Sequence, residues 1–233
     1  MNSERIRSFF KKIFFKIPLG RKLIQFFKAI SLLRVKSFRI LFLEVNKNDI
    51  CIDLGANIGN ASLVMWLKGV RKIYALEPNI EAFKMLNKNL FGIRNISTLN
   101  MAISNETKKE NLFLHRSIKE KSDVGNVLKF SQASSLLSNK TNVGKTFYVV
   151  QAITLNDLLL DLKVNPNIIK CDIEGGEYLI YKQLIEYGKS KEVRKIFVEC
   201  HASKYIQYKE KHSDFIKLIA DNKLENIIDT HWH

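Results

Sequence analysis

The chain has 233 residues, of which 46% are hydrophobic and 26% charged, as in an ordinary globular protein long enough for one compact α/β domain with a sizeable core. Three widely spaced cysteines imply no disulfide framework, and no apolar stretch near the N-terminus approaches the ~20 residues of a bilayer span or the core of a signal peptide. We therefore expect a single-domain protein in the cytoplasm, neither disulfide-stapled nor membrane-spanning.

The positive charge is concentrated at the N-terminus. Residues 1–40 hold eleven lysines and arginines and one glutamate, a net +10 of the formal charge of +15. Apolar residues at helical spacing predict two amphipathic helices there, over residues 4–17 and over residues 23–33. We therefore predict a basic amphipathic helical extension over residues 1–44 and one domain over residues 45–233.

Two uses of this extension remain open. In the first, its apolar stripe packs on the domain and its lysines lie in solvent. In the second, residues 1–35 contact an anionic membrane peripherally, at the inner membrane surface, because a lysine-rich face beside Phe and Ile side chains suits an interface.

From residue 49 onward, predicted strands alternate with predicted helices. The strands are Ile50–Leu54, Lys72–Leu76, Ile96–Met101, Tyr148–Ile153, Ile168–Asp172 and Lys195–Cys200, with possible strands at Leu112–His115 and Asn226–Ile228. The helices are Ala61–Leu67, Ile80–Leu90, Leu155–Leu162, Glu177–Tyr187 and Phe215–Ala220. This order predicts an α/β fold with a mostly parallel, doubly wound sheet and helices on both faces. Ligands bind such sheets outside the carboxyl ends of the strands.

The first strand ends in an acid, Asp53, and a glycine turn that opens a helix. Gly55 and Gly59 permit a tight turn, and the helix start offers free N–H groups to a carboxylate. A dinucleotide site needs a further glycine where this chain has Asn57, and Asp53 would place a negative charge beside the diphosphate. An acid here suits a cationic ligand, so the turn favours S-adenosylmethionine, which carries an ammonium and a sulfonium, over NAD.

The second strand ends in Glu77, Pro78 and Asn79. A carboxylate at this strand end, roughly 20 residues after a glycine turn, is placed to accept hydrogen bonds from ribose hydroxyls. Asp53, the glycine turn and Glu77 in register together predict a nucleoside site.

Three further carboxylates, Asp172, Glu174 and Glu177, follow the strand that begins at residue 168. Like charges this close need compensation, although the start of a helix accounts for Glu177. A hydroxyl acceptor of a methyl group must lose its proton, and Asp172, Glu174 or His201 could take it. A metal held by Asp172, Glu174 and His201 is compatible with these ligand types, but the spacing is not diagnostic and we assign no metal ligand.

At this point the sequence resembles the FkbM family of methyltransferases. The resemblance covers about residues 45–200, and its most specific part is the Lys-x-Asp-x-Glu-Gly-x-Glu motif that begins at Lys170. The matching segments are Asp49–Asn60, Ala75–Asn79, Met101–Asn105, Ser134–Leu136, Ile153–Asp157 and Ile169–Glu177.

The resemblance implies a Rossmann-like class I methyltransferase fold, S-adenosylmethionine as methyl donor, and O-methylation of a hydroxyl on a sugar, a glycan or another secondary metabolite. It implies that Asp172 and Glu174 face the methyl group and that Ser134 and Ser135 belong to a segment near the acceptor. The residues expected to hold the cofactor are Asp53, Gly55, Ala56, Asn57, Gly59, Glu77, Pro78, Asn79, Ala102 and Asp172.

Two other functions are weighed against this one. An RNA methyltransferase could use the basic extension to bind nucleic acid, but the body of the chain has no aromatic-rich basic recognition motif. A nucleoside-binding module without catalysis is the second alternative, and Asp172→Ala would then leave its function unchanged.

Overall fold

The computed structural model describes residues 18–201 and 208–232. Its helices are α1 (Pro18–Leu32), α2 (Lys36–Glu44), α3 (Asn60–Lys68), α4 (Ile80–Leu90), α5 (Val124–Lys129), α6 (Leu155–Leu162), α7 (Glu177–Gly188) and α8 (Lys209–Asp221). Its strands are β1 (Ile50–Leu54), β2 (Lys72–Leu76), β3 (Ile96–Leu99), β4 (Ala102–Ile103), β5 (Lys108–His115), β6 (Val143–Ile153), β7 (Ile168–Cys171), β8 (Lys195–Val198) and β9 (Ile228–Asp229). A short 3₁₀ helix spans Ser131–Ala133.

The central sheet has six strands in the order β3-β2-β1-β7-β8-β9, and every pairing in it is parallel. Strand order reverses between β1 and β7, where the chain has moved to the other half of the sheet. The carboxyl ends of β1 and β7 therefore flank the crevice at which such sheets bind ligands.

Successive residues of the central strands face opposite layers, as the strand repeat of two requires. In β1, Cys51 packs with Leu41 of α2 and Met65 of α3, whereas Ile52 packs with Ile180 and other residues of the opposite layer. Helices thus cover both faces, which explains why these strands are apolar runs rather than alternating ones. The predicted parallel, doubly wound α/β fold is confirmed.

A second, smaller sheet interrupts this pattern. It has the order β4-β6-β5, with β4 parallel and β5 antiparallel to β6. The single strand predicted for residues 96–101 is wrong in extent, because β3 ends at Leu99 and the chain pairs again only at Ala102, with β6. β5 and β6 are longer than predicted, and α5 was not predicted. In the hairpin of β5 and β6, exposed residues such as Lys109 and Gln151 alternate with buried ones, so neither strand stands out as an apolar run.

Helix α1 packs by one side only, on α3 and on the end of α4. In α1, Ala29 is buried against Leu63 of α3, and the Gln25 amide donates to the carbonyl oxygens of Asn89 and Phe91. The apolar stripe predicted for this helix faces solvent instead, as shown by the exposed residues Leu23, Phe26, Phe27 and Ile30. The helix predicted over residues 4–17 lies outside the described residues. Within the described ranges, no helix is long and apolar enough to cross a membrane.

Candidate active site

A cavity of about 400 Å³ lies at the carboxyl ends of β1, β2 and β7, a volume typical of small-molecule sites. The glycine turn after β1 forms one wall, and the smaller sheet and the 3₁₀ helix contribute another. Met101, Ala102 and Ile103, at and just before β4, supply an apolar part of the lining.

The glycine turn is pressed against the end of β7. Gly55 has a φ of +73°, and a Cβ built on it would lie 1.9 Å from the carbonyl oxygen of Asp172. The Ala56 N–H donates to the Leu76 carbonyl oxygen at 2.8 Å, which ties the turn to β2 as well. Only glycine fits this position, because both the backbone angle and the space exclude a side chain.

Glu77 holds the glycine turn from the opposite side. Its carboxylate accepts the Asn57 N–H through Oε2 and the Asn79 N–H through Oε1, both at 2.8 Å. Burial raises the pKa of Glu77 to about 7, although these two backbone hydrogen bonds and Lys170 act in the opposite direction. Asn57 itself has a φ of +49°, an uncommon value for a residue other than glycine.

Asn79 and Gly59 serve the framework of the site. The buried Asn79 caps α4 by accepting the N–H groups of Glu81 and Ala82, and its amide donates to Ser134 Oγ at 3.1 Å. Gly59, with a φ of +90°, lets α3 approach α4, where a Cβ would lie 2.9 Å from Leu86. Neither residue lines the cavity.

Asp53 lies beneath the cavity in a buried chain of charges. Its carboxylate accepts Ser62 Oγ at 2.7 Å and lies 3.3 Å from Lys170 Nζ, and the same Nζ lies 3.5 Å from Asp172. Lys170 Nζ also donates to the Gly55 carbonyl oxygen at 3.0 Å. Burial would lower the pKa of Lys170, but Asp172 and Asp53 outweigh it and raise that pKa above its ordinary value. Asp53 therefore acts on the cavity through Lys170, which lines it.

Glu174 lines the far end of the cavity. It adopts a φ of +56°, and its carboxylate accepts Lys140 Nζ at 2.6 Å, where the Lys140 side chain is fully buried. Ser135 Oγ donates to the Glu174 carbonyl oxygen at 2.9 Å. Uncommon backbone angles in residues other than glycine often mark functional positions, and of the four that the described ranges contain, Asn57 and Glu174 both line this cavity.

His201 lies behind this end and is fully buried. Its Nδ1 lies 2.8 Å from Glu177 Oε1, and its Nε2 lies 3.6 Å from Glu174 and 3.5 Å from Glu199. Burial would lower the pKa of His201, but the hydrogen bond to Glu177 and the surrounding carboxylates raise it above its usual value. Glu177 also accepts the N–H groups of Gly175 and His201, so it orders the turn after β7.

A profile of the methyltransferase FkbM domain matches residues 53–224, most of the chain. The chain belongs to the FkbM methyltransferase family. The family prediction is confirmed, and with it S-adenosylmethionine as the cofactor.

Two solved structures of methyltransferases are similar to parts of the FkbM chain. TYW2 of P. horikoshii in complex with MeSAdo is 25% identical over 30% of each chain, with a TM-score of 0.28. Precorrin-6y C5,15-methyltransferase of Geobacter metallireducens GS-15 is 12% identical over 80% of this chain and 70% of its own, with a TM-score of 0.44. No curated protein sequence matches significantly.

The structure brings most of the predicted site residues of this FkbM methyltransferase to one cavity. Those that line it are Gly55, Ala56, Asn57, Glu77, Pro78, Ala102, Asp172 and Glu174. Asp53, Gly59 and Asn79 lie behind the lining. His201 does not line the cavity either, but it lies beside Glu174 and Glu199, which do. Sequence reasoning missed Lys170, Lys140 and Glu199 as members of the site. Lys170 could have been found from the sequence, because residues two apart on a strand point to the same face and Lys170 lies two residues before Asp172. No feature of the sequence indicated Lys140.

Proposed function

We propose that this FkbM methyltransferase transfers the methyl group of S-adenosylmethionine to a hydroxyl oxygen of a sugar, a glycan or another small secondary metabolite. The observation that carries this proposal is the shared cavity. A nucleoside-type wall, made by the Gly55 turn and Glu77, and a carboxylate end, made by Asp172 and Glu174, line the same space.

The donor set of the cavity fits the cofactor. The Glu77 carboxylate suits ribose hydroxyls, and the apolar residues 101–103 suit the adenine ring. When bound, the cofactor supplies an electrophilic methyl group.

The chain's own contribution at the reacting end is positioning and acceptance of a proton. A well-held pair of reactants can gain ~7–11 kcal/mol from orientation alone. Asp172 and Glu174 are partly open to the cavity, so either carboxylate can hold the acceptor hydroxyl and take its proton. Lys140 fixes the Glu174 carboxylate and thereby leaves it little freedom to turn away.

Titration calorimetry with S-adenosylmethionine, with NAD as the control ligand, tests the donor. A panel of hydroxyl-bearing sugars and nucleosides, followed by mass spectrometry for an added methyl group, tests the acceptor. We expect S-adenosylmethionine to bind and Asp172→Asn to slow methyl transfer while it keeps the fold. Binding of NAD without binding of S-adenosylmethionine would overturn the proposal.

We also propose that the N-terminal segment attaches the enzyme peripherally to an anionic membrane. Four apolar residues on one stripe of α1 are exposed, Phe27 by 64% and the other three by 41–42%, beside lysines of the same helix. Co-sedimentation with phosphatidylserine vesicles should be reduced severalfold by the double substitution Phe26→Ser and Phe27→Ser. Leu160→Ser on α6, at a residue 66% exposed, is the matched control and should bind like the unaltered protein. Equal binding of all three proteins would contradict the proposal.

A further inference from the structure

The carboxylate end of the cavity contains a buried histidine nitrogen with no hydrogen-bond partner. His201 Nε2 is fully shielded from solvent, and none of the described residues forms a hydrogen bond with it. A buried polar atom left in this way is costly, and each such atom in a native protein needs an explanation.

The orientation of the ring tells which kind of partner Nε2 would take. Nδ1 faces the Glu177 carboxylate at 2.8 Å, and a carboxylate accepts hydrogen bonds, so Nδ1 carries the hydrogen. The carboxylates of Glu174 and Glu199 beside Nε2 favour a positive charge there, and a bound metal ion would take the place of a proton on this nitrogen. A histidine that donates one N–H to a carboxylate and presents the other nitrogen to a cluster of acids has the arrangement of a metal-ligating histidine.

Two carboxylates complete a set of three possible ligands. One oxygen of Asp172, one of Glu199 and a ring nitrogen of His201 all lie within 4.8 Å of one another. Ligand atoms of an octahedral ion bound at about 2.1 Å lie roughly 3 Å apart, so small rotations of the side chains would close the set. Asp172 and Glu199 both line the cavity, so an ion held here would remain open to a substrate.

Acidic side chains are concentrated at this end of the cavity. Four carboxylates, of Asp172, Glu174, Glu177 and Glu199, meet around His201, and among the described residues the ammonium groups of Lys140 and Lys170 lie against them. Lys170 is shared with the buried Asp53. A divalent ion would interact favourably with these carboxylates.

We propose that Asp172, Glu199 and His201 bind a divalent metal ion of the Mn²⁺ or Zn²⁺ type at the acceptor end of the cavity. One imidazole and two carboxylates suit these ions better than Mg²⁺, which prefers oxygen ligands alone. The ion's task would be to hold the acceptor hydroxyl and favour loss of its proton. That task rests on the proposed function, whereas the binding of the ion does not.

Electron paramagnetic resonance and equilibrium dialysis with Mn²⁺, on full-length protein stripped with EDTA, test the site. We expect the unaltered protein to bind about one equivalent, and Glu199→Gln and His201→Gln to weaken binding more than tenfold. Glu177→Gln should weaken it by about 10- to 100-fold, because Glu177 orients the histidine. Glu106→Gln, at an exposed glutamate paired with Lys108, is the control and should bind like the unaltered protein.

Zn²⁺ should displace the Mn²⁺ signal, and Mg²⁺ at the same concentration should not. Circular dichroism and S-adenosylmethionine binding in EDTA check that each variant is folded. His201 is buried, so a variant there can fail to fold, but Glu199 is partly exposed and keeps the test decisive. Failure of the unaltered protein to retain Mn²⁺ or Zn²⁺, or equal retention by Glu199→Gln and Glu106→Gln, would overturn the metal site. If S-adenosylmethionine still binds in that case, the proposed methyltransferase activity stands.

Discussion

The two ends of the cavity are built in different ways. The end that we propose for the nucleoside, called the nucleoside end below, is mostly backbone: a glycine turn lies against the end of β7, and Glu77 accepts two backbone N–H groups. The end that we propose for the acceptor, called the acceptor end below, is mostly side chains, with Lys140, Glu174, Glu199 and His201 brought together from separate parts of the chain. The first end depends on local geometry and tolerates almost no change in shape, whereas the second depends on charge balance.

Gly55→Ala should give the largest effect and tests the nucleoside end directly. The new Cβ would lie 1.9 Å from a backbone oxygen, so the turn must move and the fold or the cofactor site is lost. Gly92→Ala is a matched control, since Gly92 has a similar φ of +83° but no atom within 4 Å of the added Cβ. It should cost only the ~1–2 kcal/mol of a left-handed alanine. Urea unfolding of both variants measures the difference, and equal losses would contradict the role assigned to close packing.

The nucleoside end could be predicted from the sequence because its parts are local. β2 and α4 have the predicted bounds to the residue, and α6 begins at Leu155, after Thr154, whose side chain accepts the Asp157 N–H as a helix cap should. An apolar run, a helix cap and a glycine turn can each be recognised from a few consecutive residues. Asp53 was predicted to contact the cofactor, and the structure places its carboxylate beneath the cavity, buried beside Lys170.

The acceptor end could be predicted only in part. The Asp172 and Glu174 motif is visible in the sequence, but Lys140 pairs with Glu174 across 34 positions and lies in the smaller sheet's irregular connection. Glu199 and His201 follow β8, and only the parallel pairing of β7 with β8 brings them beside Asp172. Contacts set by sheet order, rather than by spacing along the chain, leave no local pattern to detect.

Lys170→Met should give the next largest effect, because Lys170 connects the two ends. It leaves the buried Asp53 carboxylate without its cation, and the loss of one member of a buried pair costs about 3–5 kcal/mol. The double variant Asp53→Asn with Lys170→Met removes both charges and should recover part of that stability. Chemical denaturation of Lys170→Met, Asp53→Asn and the double variant makes the comparison. A double variant as unstable as the sum of both single changes would show that charge pairing is not the cause.

Glu77 allows a test of whether a negative charge at the nucleoside end contributes to cofactor binding. With a pKa raised to about 7 by burial, the carboxylate forms only as pH rises through neutrality. Ribose hydroxyls donate to the charged form, so affinity for S-adenosylmethionine should increase roughly tenfold between about pH 6 and pH 8. By the same shift, the contribution of Glu77 to the free energy of unfolding falls as pH rises from about 4.5 to about 7 and then levels off. Calorimetry across this range measures the affinity, and Glu77→Gln should bind weakly with a flat profile; a slope retained in that variant would assign the titration to another group.

Asn79→Ala should give the smallest effect and separate framework from lining. Asn79 caps α4 and contacts Ser134 but does not line the cavity, so its loss should cost about 1 kcal/mol of stability. Affinity for S-adenosylmethionine should change by less than about threefold, which is smaller than the change expected for Glu77→Gln two residues earlier. Asn79→Asp keeps the capping oxygen and should recover the stability. Thermal unfolding and calorimetry on the three variants give both quantities, and a large loss of affinity in Asn79→Ala, with stability nearly intact, would move Asn79 from the framework into the binding surface.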